Sequence, residues 1–161
     1  MNRSLLGFVL AAGLASSSAV AVAAQETADA TNQAEGSEMA LDAPKFLQAA
    51  EQAAKDGDMD GAIQLYQSAV IYAPGDPVPY ERLAEFYVHV DQPELALRYF
   101  SLALDAQPAY APALKGLALL DIAAGDRAGA QAQHELLMHS CGTSCPETAQ
   151  VEKALNSGAK P

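Results

Sequence analysis

The chain reads as an all-α protein made of repeated helix pairs stacked into a solenoid, and three observations carry that reading. A step of 34 residues relates Pro74 to Pro108, and the same step relates many other positions. Self-similarity at such a period marks an architecture in which each unit buries its apolar face against its neighbours. Aromatic residues make up 6% of the chain although hydrophobic residues make up 50%, with Ala supplying much of the difference. Ala suits closely packed helices, whereas a β-sandwich wants β-branched and aromatic side chains. Finally, proline and glycine fall between apolar segments of helical period, where they punctuate rather than interrupt.

The register extends through three units, 43–76, 77–110 and 111–144. It aligns Gly57, Asp91 and Gly125 at turns between helices. It aligns Phe46, Tyr80 and Leu114, then Ala50, Ala84 and Ala118. Further along each unit it aligns Ala62, Ala96 and Ala130, then Tyr66, Phe100 and His134, then Ala69, Ala103 and Leu137. The alanines belong where two helices cross closely, and the aromatics, with Tyr87, fill the gaps between helices. Pro74 and Pro108 lack an N–H and end the second helix of their units. The pattern predicts helices over 44–56, 59–72, 78–90, 94–107, 112–124 and 127–140. A seventh is expected over 146–156, with Pro146 at its start, Glu147 in its first turn and Gly158 just past its end. Val151, Ala154 and Leu155 give it one apolar stripe, with which it caps the third unit.

This register resembles the tetratricopeptide repeat family, in which a bulky residue, a Leu-Gly pair, Tyr, Ala, an aromatic and Pro follow in order. The second unit matches best, through Tyr80, Leu83-Ala84, Tyr87, Ala96, Phe100, Ala103 and Pro108. The first supplies Phe46, Ala49-Ala50, Ala62, Tyr66, Ala69 and Pro74. The third keeps Leu114, Leu117-Ala118 and Ala130, then departs, with His134 at the aromatic position and Gly142 where Pro would stand. The resemblance implies a right-handed solenoid of three helix-turn-helix units. It also implies a concave groove, lined by the first helices, that holds a protein or peptide partner.

The N-terminus has the layout of a secretory signal. Arg3 is followed by an apolar stretch from Leu5 to Leu14 and then small residues up to Ala24. The apolar part is short for crossing ~30 Å of hydrocarbon, and no Cys follows the small-residue site to carry a lipid anchor. Residues 1–24 are therefore read as a signal peptide and 25–42 as a disordered lead without apolar period. Residues 145–161 form the cap and tail. The expected location is the periplasm or the exterior, with no membrane insertion after cleavage. A formal net charge of -11 argues against nucleic acid, since no basic patch is available to displace counterions from phosphates.

No catalytic constellation emerges. A phosphate-cradling glycine loop and a nucleophile elbow are both missing, so the chain reads as a non-enzyme that needs no cofactor. Asp56, Asp58 and Asp60 alternate like a calcium loop but lack the closing Glu, and they read as turn residues and helix caps. The chemically loaded segment is His134 to Cys145. In an oxidising compartment Cys141 and Cys145 pair as a disulfide across the turn before the cap. Closing so short a loop contributes about 2 kcal/mol. The alternative is a soft metal held by His139, Cys141 and Cys145, with Met138 or His134 assisting. His134 and His139 lie roughly 140° apart around an ideal helix, which does not favour one shared ion.

By the resemblance, the groove residues are Leu47, Glu51, Ala54 and Lys55, then Glu81, Glu85, Val88 and His89, then Lys115, Leu119, Ile122 and Ala123. Leu119 and Ile122 are expected as exposed apolar anchors, with Glu81 and Glu85 forming an acidic centre. The basic clamp that some family members use on acidic tails is absent, which points to a basic or mixed ligand. The leading function is thus a scaffold that binds a protein or peptide partner. Two alternatives stand beside it: a metal or redox accessory protein acting through His134, His139, Cys141 and Cys145, and a structural part of a cell-envelope assembly.

Overall fold

The computed structural model describes residues 42–157. The expected signal peptide and nearly all of the expected lead lie outside these residues. The chain divides into two units, Met1–Ser37 and Glu38–Pro161, and the helices below belong to the second. They are α1 over 42–55, α2 Met59–Tyr72, α3 Pro77–His89, α4 Pro93–Ala106, α5 Ala111–Ala124, α6 Arg127–Ser140 and α7 Pro146–Ser157. Among the described residues there is no strand, and no helix is long and apolar enough to cross a membrane.

Punctuation in the sequence sets these boundaries. Asp58 accepts a hydrogen bond from the Gly61 N–H at 2.9 Å, and Asp126 accepts one from the Gly129 N–H at 3.0 Å. Asp76 caps α3 through the Val78 N–H at 2.9 Å. Each carboxylate satisfies an orphan donor of the first helical turn. Gly57, Asp91 and Gly125, one step apart in the register, all take positive φ, at 84°, 58° and 80°. They reverse the chain between the two helices of a unit. Three helices begin one residue before the sequence expectation, at Pro77, Pro93 and Ala111. Two of these starts are prolines, because a proline in the first turn removes an N–H that has no intrahelical partner anyway.

Helices pair within units and then pack on the next unit. Ala50, Ala62, Ala69, Ala84, Ala96, Ala103, Ala118 and Ala130 are all fully buried, as close helix crossings require. Aromatic rings fill the first and second units: Phe46 stacks on Tyr72 at 4.9 Å, Tyr66 tilts onto Phe86 at 5.5 Å, and Tyr87 stacks on Tyr99 at 5.4 Å.

The buried residues form two clusters. One joins α1 to α4 and takes Ala113 and Leu117 from α5. The other takes Leu114 and Ala118 from α5 and adds Ala130, Leu137, Val151 and Leu155 from α6 and α7. Helix α5 therefore turns adjacent faces into different cores, which explains why it is apolar nearly all round. In the third unit the imidazole Nε2 of His134 is buried with no hydrogen-bond partner among the described residues. Gly142, at the place of the missing proline, ends α6 in a left-handed turn.

Candidate binding groove

The first helix of each unit, α1, α3 and α5, contributes to a line of two adjoining hollows. The first, about 390 Å³, is lined by Glu51, Ala54 and Lys55 of α1, Tyr66 of α2, and Arg82, Glu85, Phe86 and His89 of α3. The second, about 420 Å³, is lined by Glu85, Val88 and His89 of α3, Phe100 of α4, and Lys115, Gly116, Leu119, Leu120 and Ala123 of α5. Glu85 and His89 belong to both and form the ridge between them.

The hollows differ in chemistry. The second is predominantly apolar. A side chain at Gly116 would collide with the Phe100 ring, so glycine lets that ring reach the groove wall. Charge is concentrated at the ridge. Arg82 approaches Glu81 at 3.6 Å and Glu85 at 3.5 Å, and Lys115 approaches Glu85 at 3.6 Å. The pairs are long and three of their four members are partly exposed, so each contributes little to stability. Their effect is to neutralise the ridge.

Glu81 lies behind that ridge and is only 5% exposed. Burial, reinforced by the neighbouring Glu85 carboxylate, pushes its pKa up to about 7 against the pull of Arg82 and Lys115. The same carboxylates act on nearby phenols. Burial raises Tyr66, and Glu51, Glu85 and Glu81 add to it while Arg82 opposes. Burial and Glu81 likewise push Tyr110 up to about 12.

The structure brings Glu51, Ala54, Lys55, Glu85, Val88, His89, Lys115, Leu119 and Ala123 of the sequence-derived set to these hollows. Three others stand elsewhere. Glu81 is buried rather than presented. Leu47 packs against the first core. Ile122 packs against the second core beside α7 and lines a separate hollow of about 190 Å³ with Gly125, Arg127 and Leu155. It is therefore not an exposed anchor beside Leu119, because the cap occupies that side of α5. The acidic centre is likewise corrected to a balanced one, since Arg82 and Lys115 meet Glu85 there. Tyr66, Arg82, Phe86, Phe100, Gly116 and Leu120 were missed. The signal for Phe100 was Gly116, a glycine inside a helix one turn from the groove positions.

At the other end, Cys141 and Cys145 come together with Cα atoms 5.6 Å apart and their sulfurs at bonding distance. Cys141 is exposed and Cys145 is buried. Glu147 Oε2 lies 3.0 Å from the Cys145 sulfur and Thr148 Oγ1 lies 3.6 Å from the Cys141 sulfur. A sulfur in a disulfide carries no proton, so with that bond closed the Glu147 approach is a contact and not a hydrogen bond. His139 is exposed, while His134 is half-buried. Among the described residues no three His, Cys, Asp or Glu side chains are placed to share an ion.

A helical-repeat solenoid with a side-chain-lined groove along its first helices is the class these features define. No family model matches the chain and no curated protein matches it in sequence. Solved structures do match. The first TPR of Spaghetti (RPAP3), bound to the HSP90 peptide SRMEEVD, is 19% identical with a TM-score of 0.62, over 75% of this chain and 96% of that one. The Sgt2 TPR domain from Aspergillus fumigatus is 26% identical with a TM-score of 0.61, over 74% of this chain and 85% of that one. The TPR2AB domain of yeast Sti1, in a complex with HSP90, is 14% identical with a TM-score of 0.65, over 89% of this chain and 57% of that one. The chain has the tetratricopeptide-repeat fold.

Proposed function

We propose that this protein is an exported, non-catalytic scaffold that holds a segment of a protein partner in the groove over α1, α3 and α5. The observation that carries this reading is the apolar hollow of about 420 Å³ between α3 and α5, with Leu119 39% exposed at its wall. An apolar recess between charged rims is the common form of a binding site. Of the similar folds named above, one is bound to an HSP90 peptide and another is in a pHSP90 complex, which supports a protein or peptide segment as the kind of ligand. Export is supported by the N-terminal residue pattern, and in an oxidising compartment the Cys141–Cys145 pair closes as a disulfide beside the cap. The partner's identity does not follow from the fold.

Photocross-linking tests the groove. A benzophenone side chain placed at position 119 should capture a defined partner in the native host, and the same probe at the exposed position 71 on α2 should not. Equal capture at both, or capture only at 71, would overturn the reading.

A further inference from the structure

We propose that the Cys141–Cys145 pair is a thiol–disulfide exchange site, which accepts two electrons from an external dithiol. The site lies at the junction of α6 and α7 and does not depend on the groove reading.

The two sulfurs differ in access. Cys141 is exposed, whereas Cys145 is 8% exposed. Gly142, Thr143 and Ser144 between them are small and none is buried, so an incoming thiol reaches Cys141 first. Each cysteine is also held without the disulfide. The Cys141 N–H donates to the Leu137 carbonyl at 2.9 Å, and the Cys145 carbonyl accepts from the Ala149 N–H at 3.2 Å. Val151 and Leu155 keep α7 in the second core, so both thiols stay within reach of each other after the bond opens.

Each sulfur also has a polar neighbour fitted to the exchange. Thr148 is 1% exposed, and among the described residues its hydroxyl has one hydrogen-bond partner, the Cys141 sulfur at 3.6 Å. A disulfide sulfur carries no proton, so the hydroxyl donates. The same donor stabilises a thiolate on Cys141 once the bond opens. Cys145 directly precedes Pro146, the first residue of α7, and a helix N-terminus favours an anionic sulfur. Glu147 Oε2, 3.0 Å from the Cys145 sulfur, is placed to carry its proton.

Exchange begins when a donor thiolate attacks the Cys141 sulfur. A bond forms between the donor and Cys141, the Cys141–Cys145 bond breaks, and its electron pair leaves on the Cys145 sulfur. That sulfur takes a proton from water by way of the Glu147 carboxyl. The donor's second thiolate then attacks the donor sulfur of the mixed disulfide. The bond to Cys141 breaks, and the Cys141 thiolate takes a proton from water. The donor is oxidised to a disulfide and the pair is reduced to two thiols. In the reverse direction Glu147 withdraws the Cys145 proton, and the Cys145 thiolate attacks Cys141 and releases the bound peptide.

The test uses a synthetic peptide with two cysteines. The oxidised chain should convert the reduced peptide to its disulfide about tenfold or more faster than glutathione disulfide at equal concentration. Both cysteines of the chain should become open to alkylation, with helicity unchanged by circular dichroism. Cys145→Ser should hold the oxidised peptide on Cys141 as a mixed disulfide visible by mass spectrometry. Cys141→Ser should capture it about tenfold or more slowly, because Cys145 is shielded. Added to Cys145→Ser, Glu147→Gln should leave capture unchanged, whereas in the native pair it should slow release about tenfold or more. A pair that stays oxidised under excess peptide, or reacts no faster than glutathione disulfide, overturns the proposal and leaves a structural crosslink. Equal capture by the two serine variants overturns Cys141 as the point of attack. Unchanged release in Glu147→Gln overturns the proton route.

Discussion

Glu81 is a residue whose burial makes a testable claim about pH. Its carboxyl is held at about 7 in the fold, against an ordinary 4.5. Below 4.5 the group is protonated whether the chain is folded or not, and burial costs least. Between 4.5 and 7 the unfolded chain releases its proton while the fold retains it, so stability falls as pH rises through that window. Above 7 the full cost is present. Thermal melts of Glu81→Gln should therefore lose this part of the pH dependence and show a higher Tm than the parent in alkaline buffer. A parent and variant whose Tm values run parallel from pH 4.5 to pH 7 would show that Glu81 is not the source. Asp91 makes a second claim at this scale. It holds φ at 58° where its counterparts in the first and third units are glycines. A side chain in the left-handed region costs roughly 1 kcal/mol. Asp91→Gly should shift the urea midpoint upward by about that amount of stability, and a downward shift would mean that the Asp side chain stabilises the turn.

The helices were legible because their ends are chemically marked: Asp58, Asp76 and Asp126 cap three starts, and Ala73 and Gln107 close α2 and α4 just before Pro74 and Pro108. The groove was only partly legible. A repeat register gives a residue its position along a helix, which was enough to place Glu51, Glu85 and Lys115 near one another. It does not say what an added element covers. Ile122 repeats the position of Val88, yet Ile122 packs against the core that α7 closes, whereas Val88 faces α5 across a hollow and is 46% exposed. Tyr66 and Phe100 were missed for a related reason: they reach the groove from the second helices. At the junction of α6 and α7, the Cys141–Cys145 pair tests how much the cap depends on its staple. Mass spectrometry without reductant should find both thiols blocked. Replacing both by Ser should lower stability by about 2 kcal/mol, read as a shift of the denaturation midpoint. α7 should stay docked, because Val151 and Leu155 bury it and the Arg127 guanidinium holds the Leu155 carbonyl at 3.1 Å. Free thiols in the oxidised sample would remove the staple from the account.

On the scale of the whole molecule, the proposed export sets the redox conditions for the cysteine pair. N-terminal sequencing of protein from the native host should start near Ala24 or Gln25, and a cytoplasmic chain starting at Met1 would undo the argument for an oxidised cysteine pair. Within the folded part, α5 has a consequence of its own. It supplies Ala113 and Leu117 to one core, Leu114 and Ala118 to the other, and Lys115, Gly116, Leu119 and Ala123 to the groove. Contacts in a solenoid run between neighbours, so a ligand on one unit would ordinarily protect only that unit. Here the occupied helix is shared property of both halves. A segment seated against α5 should slow amide hydrogen exchange not only in α3 and α5 but also in α7, which never touches the ligand. The cap at the far end would then report, through its protons, whether the groove is full.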